Sequence, residues 1–279
     1  MLNVIYWNAD PTLFTLGPVS VRWYGLMFAV GFTVGYMIVS KMFRHEGAPE
    51  KWLGSLLAYV GVATLIGSRL GHVFFYEWDY YSQHPGEILM IWHGGLASHG
   101  GTIANIIALF LWSWIVSKKP ASWVFDKIVV ATALVGGLIR LGNLFNSEIY
   151  GGPTDLPWGF VFLRNGDMVP THPTQIYEAL CYFLLFGLLM WMYWKKNAEE
   201  RPWLITGVFF IGIFLPRFLI EYVKNVQVES EYSMIAQYGM NMGQVLSIPF
   251  ILLGVFLVIW AMTHPKVKFT FPNKFADEK

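Results

Sequence analysis

An arginine and a glutamate lie in a polar stretch, LIRLGNLFNSEIYGG, that follows a long apolar run. If the helix continues through it, Arg140, Asn143 and Ser147 share one face, because residues three, four or seven apart align along a helix. Asn146 and Glu148 flank that face. Helix packing, with the glutamate neutralising the arginine, would explain part of this pattern. Ionisable groups inside membranes are functional candidates by default, however, and we predict that this face handles a ligand.

Two further arginines and a histidine have similar settings. Arg217 and Glu221 are one helical turn apart in FLPRFLIEYV, where the glutamate can hold the arginine at the membrane boundary. Arg69 lies among glycines in GSRLGHVFFY, and there snorkelling to the interface competes with function. His99 stands between two glycine pairs in GGLASHGG. An imidazole accepts a proton near neutral pH, although a lone histidine is often structural.

Arginine and histidine together indicate chemistry on a phosphate ester. A guanidinium binds phosphate through two parallel hydrogen bonds and offsets its charge, and the phosphate ester of a membrane is a phospholipid. These residues therefore indicate an enzyme or binder acting on an anionic lipid headgroup. A membrane transporter or binder of an anionic lipid or solute is the alternative. No metal site is predicted, because the histidines lack ligand spacing and Cys181 is the single cysteine.

Composition predicts a bundle of helices in a membrane. Apolar residues make up 55% of the 279 residues and charged residues 13%, against about 25% charged in a typical soluble domain. We predict an all-α, polytopic membrane helical bundle that forms a single integral-membrane domain over residues 1–279. About 20 apolar residues cross a bilayer, and the predicted spans are roughly 23–40, 53–75, 101–117, 126–143, 176–194, 203–221 and 243–262.

The positions of lysine and arginine predict the orientation. Thirteen of them follow the first, third, fifth and seventh spans, and six lie on the other side. Cytoplasmic loops hold the excess of basic residues, which places the N-terminus outside and the C-terminus in the cytoplasm. The outer loops, 76–100, 144–175 and 222–242, are long enough to contain folded elements. No basic cluster indicates a nucleic-acid partner.

Seven motifs in order resemble the prolipoprotein diacylglyceryl transferases of bacteria. The stretch GGLIRLGNLFNSEIYG is similar to the signature G-R-x-G-N-F-x-N-x-E-x-x-G of that family. The motifs cover most of residues 17–250. The other six are RWYGLM, GSRLGHVFFY, GGLASHGG, HPTQIYEAL, PRFLIEY and GMNMGQVLSIP.

The resemblance implies a multi-pass enzyme of the bacterial cytoplasmic (inner) membrane. Such an enzyme transfers the diacylglyceryl group of phosphatidylglycerol to the lipobox cysteine thiol in the signal peptide of a prolipoprotein. The products are a thioether and glycerol 1-phosphate, in the first step of lipoprotein maturation. The partners are therefore phosphatidylglycerol, the signal peptide and membrane lipids, and no cofactor is expected.

The family's functional positions fall, by motif match, on residues of this chain, and a mechanism hypothesis gives them roles. Arg140 and Arg217 would clamp the phosphate, and Glu221 would hold Arg217. His99 would accept the thiol proton, or would instead bind the headgroup. Counted by role, the catalytic residues are His99, Arg140 and Arg217, and the substrate-binding residues are Tyr24, Asn143, Asn146, Glu148, Gly151 and Glu221.

Overall fold

Long apolar stretches form helices here because lipid leaves backbone polar groups no partners outside the segment itself. The computed structural model describes residues 4–91, 94–225, 230–269 and 271. Its described part contains seven helices long and apolar enough to cross a membrane, which confirms the predicted all-α fold class. They are α1 (Trp23–Glu46), α2 (Glu50–Phe75), α4 (Ser98–Trp112, extended by a π-helical turn to Ser117), α5 (Ala121–Phe145), α6 (Thr174–Lys196), α7 (Leu204–Ile220, extended by a 3₁₀ turn to Val223) and α9 (Met242–Thr263).

Small folded elements occupy the segments before and between the long helices. Two short helices and four short strands lie in the described parts of these segments. Strands β1 and β4 pair in parallel with Ile5 opposite Phe160, and β2 and β3 form an antiparallel hairpin directly before α1. The elements are β1 (Ile5–Trp7), β2 (Thr12–Leu16), β3 (Val19–Arg22), β4 (Phe160–Phe162), α3 (Trp78–Tyr81) and α8 (Ser230–Tyr238).

The described residues form two compact units. One unit combines residues 1–38 with 126–268, and the other combines residues 39–125 with 269–279. The single domain over residues 1–279 stays a prediction. So does the orientation, and two of the tail lysines behind it, Lys274 and Lys279, lie outside the described residues.

In the first unit, glycine allows helices to approach closely. A Cβ at Gly31 of α1 would lie 3.3 Å from a methyl of Val135 in α5. A Cβ at Gly207 of α7 would lie 2.9 Å from the carbonyl oxygen of Gly254 in α9. Helix α6 also packs against α7. The end of α5 lies beside the start of α6, and the end of α7 lies beside the start of α9.

A carboxylate from α5 caps the N-terminus of α7, the end of the helix away from Arg217. Asp126 is buried and accepts hydrogen bonds from the backbone N–H groups of Trp203 and Thr206, at 2.8 Å each, and from the Thr206 hydroxyl at 2.6 Å. The first N–H groups of a helix have no partner within the helix, and the helix dipole favours a negative charge there. Asp126 therefore fixes the helix that carries Arg217.

In the second unit, α2 and α4 cross with their backbones in contact. A Cβ at Gly67 would collide with Ala104 and would lie 2.7 Å from the carbonyl oxygen of Gly100. One at Gly71 would lie 2.7 Å from the Cα of Gly100. Small residues bring membrane helices close enough for dense packing, so these glycines set the α2–α4 distance.

Arg69 organises the segment between α2 and α4. Its side chain is buried and donates to the carbonyl oxygens of Ile88 and Gly94 at 2.7 Å and of Glu87 at 2.8 Å. It also donates to the Tyr81 hydroxyl at 3.1 Å, and its guanidinium lies over the Tyr81 ring. Arg69 therefore neither snorkels nor faces a ligand; it orders the loop that leads to His99.

We predict that Gly67→Ala destabilises the second unit, because the added methyl group collides with α4. Overpacking of this kind costs about 1–3 kcal/mol. The measurement is the thermal unfolding temperature of the protein in detergent.

The matched control is Gly54→Ala on the same helix, where no atom lies within 4 Å of the added Cβ. It should unfold at or above the wild-type temperature, because alanine forms helices better than glycine. Equal unfolding temperatures for the two variants would contradict the close α2–α4 contact.

Candidate functional site

Arg140 lies near the end of α5 and is mostly buried, with 17% of its side chain exposed. Its Nε forms an ion pair with Oε2 of Glu178 at 2.5 Å, and its Nη1 donates to Oδ1 of Asn143 at 3.3 Å. Asn143 comes from the same helix, one turn on, as the sequence predicts. Glu178 comes from α6, so packing between helices supplies the counter-charge.

Glu178 bridges two cations. Its side chain is 1% exposed, and its Oε1 lies 3.2 Å from Nζ of Lys224 while Oε2 contacts Arg140. Burying a charge without a partner is costly, and a pair is stable only where geometry and further hydrogen bonds compensate. Lys224 donates to Oε1 and Arg140 lies against Oε2, so each oxygen of the carboxylate has a cation beside it.

Lys224 continues the chain of charges to the second arginine. It follows the 3₁₀ turn after α7, and its Nζ also lies 3.1 Å from Oε1 of Glu221. The same Oε1 lies 3.8 Å from Nε of Arg217, which confirms the predicted contact between Arg217 and Glu221. The charges therefore alternate in a connected order: Arg140, Glu178, Lys224, Glu221, Arg217. We call these five residues the charge chain.

The start of α9 stabilises Glu221. Asn241 and Gln244 form a capping box, in which each side chain accepts a hydrogen bond from the backbone N–H of the other. The Asn241 amide also donates to Oε2 of Glu221 at 3.2 Å, and a Cβ at Gly243 would lie 2.6 Å from the Glu221 carboxyl carbon. The positive end of the α9 dipole thus faces the carboxylate.

Tyr182 of α6 is buried beside this cluster: it is 4% exposed, and both arginines act on it electrostatically. Arg217 has 35% of its side chain exposed, and its Nε lies 3.8 Å from Oε1 of Glu221. A guanidinium has five N–H donors, so Arg217 keeps donors for an anion that arrives from the exposed side.

The polar stretch after Arg140 leaves the helix earlier than the sequence suggests. Helix α5 ends at Phe145, and Ser147 has a left-handed backbone with φ of 55°. The prediction that Ser147 extends the Arg140 face is therefore wrong. Glu148 is exposed, and its Oε1 accepts hydrogen bonds from Asn143 at 2.7 Å and Asn146 at 3.1 Å.

Tyr24 lies beside the same stretch. It is partly buried at the start of α1, and a Cβ at Gly142 would lie 2.9 Å from its ring. Tyr24 interacts electrostatically with Glu148 and Arg140. Five of the predicted residues (Tyr24, Arg140, Asn143, Asn146 and Glu148) therefore lie together.

Gly151 ties this loop to the segment that carries Lys224. Its N–H donates to the carbonyl oxygen of His172 at 2.8 Å, and it pairs with Lys224 as an antiparallel bridge. A Cβ at Gly151 would collide with the carbonyl oxygen of Val223 and lie 2.7 Å from Cβ of His172. No side chain fits at this buried position, so the geometry gives Gly151 a packing role.

The start of α6 stabilises a strained backbone conformation in the loop after α5. Ile149 has φ of 59°, and a β-branched residue in this region is a true outlier that costs about 1–3 kcal/mol. The Thr174 hydroxyl donates to the Ile149 carbonyl oxygen at 2.9 Å, and the Gln175 amide donates to that of Glu148 at 2.7 Å. These bonds explain the polar side chains at the start of the fifth span.

His172 adds no charge to this region at neutral pH. Burial lowers the pKa of His172 from its ordinary value, so the imidazole is neutral at pH 7. Its Nδ1 lies 3.3 Å from the Tyr177 hydroxyl, which also accepts a hydrogen bond from Trp158 at 2.9 Å.

His99 belongs to the second unit. It lies in the first turn of α4, is exposed, and packs its ring against Phe75 and Tyr76 with centroid distances of 5.2 and 5.6 Å. It lines an open cavity of about 430 Å³ with His72 and Glu77, where Nε2 of His72 lies 3.4 Å from Oε2 of Glu77. The role of His99 as base stays a prediction.

Sequence reasoning missed the middle of the charge chain. Neither Lys224 nor Glu178 is among the site residues predicted above. Lys224 stands three residues after Glu221 and seven after Arg217, so the helical spacing could have indicated it. Glu178 carries no local signal for its partners, which come from α5 and from the segment after α7.

Within the described part of the chain, no group of three or more histidine, cysteine, aspartate or glutamate side chains could hold a metal ion. The polar groups that do converge are guanidinium, ammonium, carboxylate and amide. Together they suit an anion that carries oxygen acceptors.

The fold and the site define a multi-pass membrane protein with a cluster of charged side chains at the ends of its helices. Residues 11–260 match the family described as prolipoprotein diacylglyceryl transferase. The chain therefore belongs to the prolipoprotein diacylglyceryl transferase family, as its motifs predict.

Curated relatives match over nearly the full length. A phosphatidylglycerol–prolipoprotein diacylglyceryl transferase of Porphyromonas gingivalis is 52% identical, with 94% of this chain and 96% of the relative covered. One of Chloroherpeton thalassium is 43% identical, covering 96% and 98%. One of Bacteroides fragilis is 40% identical, covering 96% and 99%. These relatives favour an enzyme over the transporter alternative.

We predict that Gly151→Ala disrupts the site, because the added methyl group would displace the Val223 carbonyl and the attached Lys224. The expected result is loss of most transferase activity and a lower unfolding temperature.

Gly152→Ala is the matched control, since the nearest atom to its Cβ is Oδ1 of Asn225 at an ordinary 3.5 Å. It should keep wild-type activity within about twofold, as a substitution away from special features changes stability by about 0.5 kcal/mol or less. Equal losses in both variants would refute the close approach at Gly151.

Proposed function

We propose that this chain transfers the diacylglyceryl group of phosphatidylglycerol to the cysteine thiol of a prolipoprotein, and that the charge chain holds the lipid phosphate. The relatives carry this activity in their names. The observation that supports the site is that two arginines from different helices are linked through Glu178, Lys224 and Glu221.

The geometry suits cleavage at the glycerol carbon. The thiolate sulfur forms a bond to the glycerol carbon, the carbon–oxygen bond to phosphate breaks, and its electron pair stays on the phosphate oxygen. Negative charge therefore grows on the phosphate during the step. Guanidinium groups fixed in a poorly hydrated site stabilise such charge, because they do not reorganise as it develops. The products are the thioether and glycerol 1-phosphate.

Asn143, Asn146 and Glu148 would orient Arg140 and the headgroup. Asn143 donates to Glu148 and accepts from Arg140, so it fixes the guanidinium plane. Glu148 is exposed and keeps acceptor capacity for a donor such as a headgroup hydroxyl. Tyr24 would line the same side.

The thiol proton needs an acceptor, because the thiolate is the nucleophile and a free thiol is mostly protonated at pH 7. His99 is the proposed acceptor, being an exposed imidazole in a cavity. We propose the bacterial cytoplasmic membrane as the location, with the N-terminus outside and the C-terminus in the cytoplasm. A single membrane domain over residues 1–279 completes the proposal.

We predict that Arg140→Lys loses at least about 100-fold in transfer rate, because lysine keeps the charge and loses the two-pronged fork. The assay measures the mass gain of a lipobox peptide incubated with phosphatidylglycerol and purified enzyme.

Arg164→Lys is the control, since Arg164 is exposed beyond β4; it should transfer at the wild-type rate. Wild-type transfer by Arg140→Lys would count against bidentate phosphate binding.

We predict that His99→Gln changes the pH dependence of transfer. A general base contributes about 100- to 10,000-fold to a rate, so the variant should transfer at least about 100-fold more slowly than the wild type and should show an altered pH–rate profile. A slower variant with an unchanged profile would assign His99 to binding instead of proton transfer.

A further inference from the structure

We infer that Glu178 and Glu221 limit the positive charge of the site so that it retains the substrate phosphate and releases the product phosphate. The inference rests on the proposed function, because it takes phosphatidylglycerol as substrate and glycerol 1-phosphate as product. It adds a role for two carboxylates that do not take part in bond making.

The five groups of the charge chain are close enough to act as one unit. The contacts along it are 2.5, 3.2, 3.1 and 3.8 Å. The side chains of its three central members are at most 9% exposed. Charges at these separations interact strongly where water is excluded.

The charge chain carries a net charge of +1, since three cations face two carboxylates. The neighbouring titratable groups change this little. Glu148 is exposed, so water and salt screen its charge. His172 is neutral at pH 7, because burial lowers its pKa.

Substrate and product differ in charge by about half a unit to one unit. The phosphodiester of phosphatidylglycerol carries a single negative charge, which the charge chain neutralises. When the carbon–oxygen bond breaks, the leaving phosphate becomes a monoester, which carries about −1.5 to −2 near pH 7. The product therefore exceeds the charge of the site, and the buried carboxylates repel the excess.

Orientation alone does not require Glu178 to be charged. Arg140 already has a neutral partner, the Asn143 amide. A glutamine at position 178 could accept from Arg140 through its carbonyl oxygen with the same shape. The property that only glutamate supplies is the negative charge.

The test changes the net charge of the site in both directions. Glu178→Gln raises it to +2 and Lys224→Met lowers it to 0. Calorimetry on the purified protein in detergent measures the affinities for glycerol 1-phosphate, a monoester, and for glycerophosphoglycerol, a soluble diester with the same headgroup. The quantity compared is the ratio of the two affinities.

We expect Glu178→Gln to bind glycerol 1-phosphate at least about tenfold more tightly than the wild type, with a smaller gain for the diester, because the Coulomb gain scales with ligand charge. Product inhibition of transfer should rise in parallel. Lys224→Met should shift the ratio the opposite way. Asp155→Asn, which makes the same charge change at an exposed position, should leave the ratio unchanged.

Glu221→Gln keeps the test decisive if Glu178→Gln fails to fold, because it makes the same charge change at the other end of the charge chain. Two outcomes would overturn the inference and leave the proposed function standing. In one, the wild type binds both compounds but neither variant changes the ratio of the two affinities. In the other, the variants weaken the binding of both compounds equally. Failure of the wild type to bind either compound would instead count against the phosphate site of the proposed function.

Discussion

Three cations can share one end of this helix bundle only because two buried carboxylates stand between them. Without Glu178 and Glu221, the ammonium and two guanidinium groups would repel each other in a poorly hydrated region, and each would bear its desolvation cost unpaired. The alternation of charges removes both problems at once. It also leaves a net charge of +1, which favours the binding of an anion.

The conformation of the backbone, as well as the side chains, positions these charged groups. The loop after α5 passes between α6 and the segment after α7, at a point where only glycine fits. Two residues of that loop, Ser147 and Ile149, adopt left-handed conformations. Hydrogen bonds from Thr174 and Gln175 hold Ile149 and Glu148 in place. Strain near Arg140 is thus compensated by the same helix that supplies Glu178.

Arg69 shows the contrasting solution for a buried arginine. Its hydrogen bonds go to backbone carbonyl oxygens and to a tyrosine hydroxyl. Carbonyl dipoles compensate its charge, and the guanidinium holds the segment between α2 and α4 in place. Arg140 and Arg217 resemble Arg69 in sequence, with glycine or apolar neighbours at the end of a span. Their carboxylate partners and the exposure of Arg217 distinguish them.

The sequence alone determined which segments form helices and which residues on one helix cooperate. Apolar runs of about 20 residues predict spans because lipid demands internally bonded backbones, and all seven coincide with helices. Helical spacing likewise predicts the Arg140–Asn143 and Arg217–Glu221 contacts. Only the tertiary structure decided the pairing of Arg140 with Glu178 and of Lys224 with Glu178. These partners are 38 and 46 positions apart, and local periodicity fixes the face of a helix but not the neighbour it meets.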